Sequence, residues 1–182
     1  MKKIVFATFF CLSTALLCAQ ESETAYNFLR LPVSAHAAAL GGENISITDD
    51  DASMAFHNPA LLSGVADKTI NLNFMTYMEG AKTASASFSK ALRDRATWFV
   101  GAQYIDYGEM KHTTSSGEIL GNVSAKDIML CGALEYNLTN RISGGVTAKF
   151  ISSDLAGFNS LAVGVDIGLN YYDETSDPSI SA

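Results

Sequence analysis

Residues 127–137 read DIMLCGALEYN, residues 141–150 read RISGGVTAKF and residues 160–171 read SLAVGVDIGLNY. In each stretch, one set of alternate positions is mainly apolar. Because successive side chains of a strand point to opposite faces, each stretch predicts a strand with one apolar face and one small or polar face. On the apolar face we predict lipid contact for Ile128, Leu130, Leu134, Val146, Phe150, Val163, Val165 and Ile167.

Three earlier stretches, residues 69–77, 82–92 and 96–107, alternate in the same way but less regularly. All of these stretches predict strands of about ten residues, which is the length that crosses a bilayer at a tilt. Strands of a soluble sandwich are usually about five or six residues long. The strand length therefore favours a membrane protein.

The other face of the predicted strands is small or polar and carries charge. Ser87, Glu135, Lys149 and Asp166 all fall on it. In a soluble barrel this face would be the core, where charge is costly to bury. In an outer-membrane barrel the lumen is polar and the exterior is apolar. The sequence thus predicts an all-β fold, a transmembrane antiparallel β-barrel in the cell outer membrane.

The connections between the predicted strands alternate in length. Residues 93–95 and 139–140 predict tight turns, whereas residues 108–126 predict a long loop and residues 153–159 a moderate one. Periplasmic turns of outer-membrane barrels are short and their external loops are longer. We therefore assign the two tight turns to the periplasm and residues 108–126 to the outside. Part of that long segment can alternatively extend a hairpin beyond the membrane.

Residues 68–182 predict an incomplete barrel of about six strands. Bacterial single-chain barrels have about eight strands or more, since an open edge in lipid leaves backbone groups unpaired. We expect this region to be the N-terminal part of a longer barrel. The alternative is that several copies of the chain share one barrel.

The first residues predict a secretory signal peptide over residues 1–19. Two lysines precede an apolar run from Ile4 to Ala19, and polar residues follow. Lipidation at Cys18 is the weaker alternative, because Leu17 is too large for the position before a lipidated cysteine. Cleavage leaves 10 of the 12 basic and all 19 acidic side chains, so the formal charge changes from −7 to −9. We therefore expect no binding of nucleic acid.

Residues 20–67 do not alternate and predict a short helical, plug-like segment. Ser34 to Leu40 permits a helix that Gly41-Gly42 would end. Asp51 or Ser53 can cap a second turn. Asn58 can cap a third turn, with Pro59 at its first position.

The same segment carries a family resemblance. Residues 34–42 read SAHAAALGG, residues 49–52 read DDDA and residues 57–62 read HNPALL. Their order and spacing resemble the start of the PorQ and PorV outer-membrane proteins of Bacteroidetes. Residues 28–33 (FLRLPV) and the NPALLS ending favour the PorQ branch. The residues that carry the resemblance are Ala37, Ala38, Ala39, Leu40, Gly41, Gly42, Asp50, Asn58, Pro59 and Ala60.

The resemblance implies a FadL-like barrel longer than this chain and a function in protein secretion. PorQ and PorV belong to the type IX secretion system, so the implied role is to anchor or organise the machinery that attaches secreted cargo to the surface. The implied partners are outer-membrane lipid and other type IX secretion proteins. The alternative function is a FadL-type transporter of hydrophobic small molecules. The inner faces show no apolar track for such a substrate.

No motif in the sequence predicts catalysis, and we expect the protein not to be an enzyme. His57 follows Ser53 and Asp51 closely, but no Gly-x-Ser-x-Gly turn surrounds them. The acidic run at residues 49–51 lacks the spaced ligands of a calcium loop. Cys131 falls on the small or polar face of its strand, where we expect a packing residue. Neither a cofactor nor a metal site is expected.

The two faces predict different tolerance of charge. Val146→Lys or Val165→Lys should impair membrane assembly, because lysine on the lipid face near the bilayer midplane costs about 2–4 kcal/mol. Thr147→Lys, on the opposite face, should be better tolerated. Fractionation of the folded protein with the outer membrane measures this, and equal tolerance on both faces would contradict the assignment.

Overall fold

The computed structural model describes residues 26–181 except residues 43, 78–79, 93–94, 114–118, 156 and 173–178. The predicted signal peptide lies outside the described residues, as do parts of the predicted connections at 93–95 and 108–126. None of the helices in the described part of the chain is both long and apolar enough to cross a membrane.

The protein is an all-β partial barrel built from one antiparallel sheet, in which each strand pairs with the next along the chain. Among the described residues the sheet does not close, because β1 does not pair with the last strand. The predicted strands are confirmed, and the short β7 is an addition to them. The strands are β1 (Thr69–Thr76), β2 (Lys82–Leu92), β3 (Ala96–Thr113), β4 (Ile119–Asn137), β5 (Ile142–Leu155), β6 (Phe158–Tyr172) and β7 (Ser179–Ser181).

The strand register separates an outer apolar face from an inner face. Val146, for example, lies between Leu134 on β4 and Ile167 on β6. The residues predicted to contact lipid all lie on the outer face, where their side chains are between 44% and 76% exposed. The inner face, defined here by its contact with residues 26–66, carries the polar alternate positions together with several large apolar side chains.

For residues 108–126 the structure shows the alternative, an extended hairpin in place of a long loop, because β3 continues to Thr113 and β4 begins at Ile119. The register shifts between Asp106 and Glu109, and Gly108 has a φ of 76°. Such a bulge interrupts the alternation without ending the pairing, so alternation alone does not show that the two strands continue. The predicted connection at residues 153–159 is also too long, since β5 ends at Leu155 and β6 begins at Phe158.

Residues 26–66, called the N-terminal segment here, form short helices, and two of them begin at predicted caps. They comprise 3₁₀ helices at Asn27–Arg30, Ala52–Phe56 and Pro59–Gly64 and the α-helix α1 at Ala35–Ala39. The side chains of Ser34, Asp51 and Asn58 accept hydrogen bonds from backbone amides at the three later helix starts. Of the two candidates for the second cap, Asp51 is the one used.

The main core lies between the N-terminal segment and the inner face of the sheet. Phe28, Phe56 and Leu62 of the segment pack with a set of buried strand residues. The rings of Phe56 and Phe99 meet edge to face, with their centroids 5.2 Å apart. The inner face is therefore partly apolar, unlike the small and polar face read from the sequence. The strand residues of this core are Phe99, Ile105, Met129, Cys131, Ala133 and Ile151.

This core also affects the comparison of lysine substitutions. Thr147 is 0% exposed on the inner face of β5. A lysine there would meet packed protein, so Thr147→Lys does not report tolerance of the inner face as such. The comparison of Val146→Lys with Thr147→Lys therefore does not separate the cost of lipid contact from the cost of overpacking.

Candidate functional site

The candidate site is the place where the Asn58-Pro59-Ala60 turn packs against the inner face of the sheet. The Asn58 side chain accepts a hydrogen bond from Ala60 N (3.0 Å) and donates one to Ile45 O (2.9 Å). These two bonds hold its amide in one orientation, while Pro59 begins the next helix at a position where its missing N–H costs nothing. All three residues are buried.

Two paired strand glycines make room for this turn. Gly145 on β5 lies opposite Gly168 on β6. A Cβ at Gly168 would lie 1.9 Å from Asn58 Oδ1, and a Cβ at Gly145 would lie 2.8 Å from Pro59 Cβ. Glycine in a strand interior normally weakens it and often marks a close approach of another segment. The pair therefore forms a notch that admits the Asn58-Pro59 turn.

A third glycine has the same role beneath Phe56. A Cβ at Gly101 on β3 would lie 2.5 Å from Cζ of the Phe56 ring. Because the ring also packs edge to face on Phe99, its position is set by two neighbouring residues of one strand face. The aromatic side chain thus reaches the sheet itself.

Polar side chains of the strands fix the backbone of the N-terminal segment. Ser85 Oγ donates to Val33 O (2.6 Å) and Ser143 Oγ donates to Ala60 O (2.9 Å). Lys149 Nζ donates to Phe56 O (3.0 Å) and forms an ion pair with Asp166. Short helices leave carbonyls without internal partners, and here the strands supply the donors.

Further hydrogen bonds join side chains of the segment to strands β1 and β6. Asn71 Nδ2 of β1 donates to an Asp51 carboxylate oxygen. Asn170 Nδ2 of β6 donates to Thr48 Oγ1 at 3.1 Å. The segment is therefore bonded to both β1 and β6, which lie six strands apart in the order of the sheet counted inclusively.

The residues that carry the family resemblance are brought together only in part. Ala37 packs with Met54 and Leu61 in a small buried cluster, whereas Ala38, Ala39 and Leu40 are exposed. Gly41 and Gly42 end the helix with φ values of 99° and 110°. Asp50 accepts a hydrogen bond from Ala66 N at 2.7 Å. This bond joins the residues just before the helix Ala52–Phe56 to those just after the helix Pro59–Gly64.

Sequence reasoning placed Lys149, Glu135 and Asp166 on the inner face but did not assign them partners. It missed Gly101, Gly145 and Gly168 as contact residues altogether. The available signal was their position in strand interiors on the inner face, where glycine is unfavourable without a reason. What approaches them depends on residues far away in the sequence.

The titratable groups of the segment do not assemble a metal centre in the part of the chain that the structure describes. His36 Nδ1 lies 3.0 Å from Asp51 Oδ2 and its Nε2 lies 3.8 Å from Asp49 Oδ2. The side chains of His36 and Asp49 are exposed, whereas that of Asp51 is mostly buried. Cys131 is buried in the core, as a packing residue would be.

The sequence matches no protein-family model and no curated protein. Membership of the PorQ and PorV family thus stays a prediction from the motif residues. The contacts described above are independent of it, since they follow from the placement of the segment on the sheet.

Because of the glycine notch, we expect the addition of one methyl group to a strand glycine to affect stability only at certain positions. Gly168→Ala should destabilise the seated segment by about 1–3 kcal/mol, because overpacking forces backbone shifts. In detergent, its folded state should unfold at lower denaturant concentration, and trypsin should cleave faster after the exposed Arg30.

The matched control is Gly164→Ala on the same face of the same strand. A Cβ there would meet only Lys149 Cβ at 3.8 Å, which is an ordinary contact. This variant should resist denaturant and trypsin like the original protein. Equal behaviour of the two variants would contradict the notch.

Proposed function

We propose that this chain is part of an outer-membrane β-barrel whose outer face contacts lipid and whose lumen holds the N-terminal segment. One observation carries the proposal: rows of exposed large apolar side chains run along the face that does not contact the segment. Leu72, Val163 and Ile167 are 76%, 75% and 76% exposed. Monomeric soluble proteins rarely expose contiguous apolar patches larger than a few hundred Å².

The strand lengths support the same proposal. β4 has 19 residues and β6 has 15, whereas strands of globular proteins usually have about five or six. Long strands with an apolar outer face are what a tilted crossing of a bilayer needs. A bilayer would cover the exposed rows that no described residue covers.

Adjacent residues of β1 test the lipid contact. Leu72→Lys should reduce the amount of folded protein in the outer membrane, because lysine facing lipid costs about 2–4 kcal/mol near the midplane. Asn73→Lys is the matched control, since Asn73 is half-buried on the inner face and its side chain donates to Ser85 Oγ at 3.3 Å. If both variants assemble equally well, the outer face is not the lipid face.

We further propose that the protein is a PorQ-type component of the type IX secretion system, which helps to anchor or organise surface attachment of secreted cargo. The residues that resemble this family include Asn58, Pro59 and Ala60, which lie in the glycine notch. The hairpin of β3 and β4 also supports a role in partner binding. Beyond the bulge at Asp106 it exposes Met110, Ile119 and Leu120.

A transporter of hydrophobic small molecules is the second candidate, and one cavity favours it. This cavity lies on the inner face beside the helix Asn27–Arg30 and is lined in part by Met110, Ala125 and Leu155. Tyr107 Oη donates to Asp127 Oδ2 at 2.7 Å in its wall. A mainly apolar cavity with a few polar groups is typical of small-molecule sites.

Deletion of the gene that encodes this chain distinguishes the two functions. The secretion role predicts loss of type IX cargo from the cell surface, with uptake of long-chain fatty acids unchanged. Surface-attached cargo and labelled fatty acid uptake are measured on the same cultures, with the complemented strain as the control. Normal cargo with reduced uptake would contradict the secretion role and support transport.

A further inference from the structure

A groove runs along β2 on the outer face of the sheet. Its floor is formed by the small side chains of Ala84, Ala86 and Ala102, which are neighbours in register. Larger side chains on both sides form the walls, and the volume is about 470 Å³, within the usual range of ligand sites. The walls are Leu72 and Phe74 of β1 on one side and Tyr104 and Ile128 on the other.

The two ends of the groove differ. At one end Phe88 of β2 follows the alanines, and its ring packs edge to face on Trp98 with centroids 5.4 Å apart. At the other end Lys82 precedes them on the same outer face. An apolar occupant can therefore lie along the alanines with one end against the aromatic pair and the other at a charged mouth.

Charged residues of alternating sign cross the sheet at this mouth. Lys82 pairs in register with Asp106, Asp106 with Lys126, and Lys126 with Asp154. The ion pairs of the described residues involve neither Lys82 nor Lys126. Tyr104 Oη lies 3.4 Å from Asp106 Oδ2 and adds a hydroxyl at the same place. The mouth thus places two lysines, each with an aspartate opposite it in register, beside hydrogen-bond acceptors.

We propose that this groove binds an acyl chain of lipopolysaccharide, with a lipid A phosphate at Lys82 and Lys126. The inference rests on the proposed location in the outer membrane. Apolar walls fit an acyl chain, the ammonium groups fit phosphate, and Asp106 can accept hydrogen bonds from sugar hydroxyls. The charged row also lies at the end of β2 next to the extended hairpin, the side we assign to the outer leaflet where this lipid resides.

The test uses the complete protein, extracted from outer membranes in mild detergent and analysed by native mass spectrometry for bound lipid A. The original protein should retain lipid A. Ala86→Phe fills the floor and should reduce retention at least about tenfold, because lost apolar contact over a few methylene groups weakens binding by that factor. Lys82→Ala with Lys126→Ala should also reduce retention, through loss of the phosphate contact.

Two controls separate the groove from the rest of the surface. Ala148→Phe adds the same ring to the outer face on β5, outside the groove. Lys111→Ala removes an exposed lysine from the hairpin beyond the charged row. Both variants should retain lipid A like the original protein.

The possible failures are distinguishable. If the protein does not fractionate with the outer membrane, the proposed location fails and the groove inference fails with it. If the protein is in that membrane but Ala86→Phe retains as much lipid A as Ala148→Phe, only the groove inference is overturned. Retention of phospholipid alone, or a second copy of the chain in place of lipid, would also overturn it.

Discussion

The close approach of the Asn58-Pro59 turn to Gly145 and Gly168 is the contact on which the rest of the structure depends. A turn can reach the backbone of a sheet only where the strand residues have no side chain. Once the turn is seated, Lys149 can reach Phe56 O and Ser143 can reach Ala60 O. The core around Phe56 and Leu62 closes over the same surface.

This arrangement gives the two faces of one sheet opposite environments. The inner face is covered by the N-terminal segment, so it holds Phe99 and Met129 beside serines and threonines. The outer face carries exposed apolar rows. A single alternating pattern therefore combines a protein core on one side with exposed apolar rows on the other.

Much of the fold could be predicted because it depends on local rules. Alternation located the strands, and Asn58 was recognised as a helix cap from residue type and position. The extent of the β3–β4 hairpin could not be predicted, because the bulge at Gly108 shifts the alternation while pairing continues. Whether a strand continues past such a point depends on its partner strand.

The sequence by itself determined the strand periodicity, the apolar face and the caps of the short helices, because each depends on residues within a few positions of one another. Only the tertiary structure decided what covers the inner face and why Gly101, Gly145 and Gly168 are glycine. These glycines lie against Phe56, Asn58 and Pro59, which are far from the strands in the sequence. Such contacts are set by packing between distant segments, so the strand glycines alone did not show what approaches them.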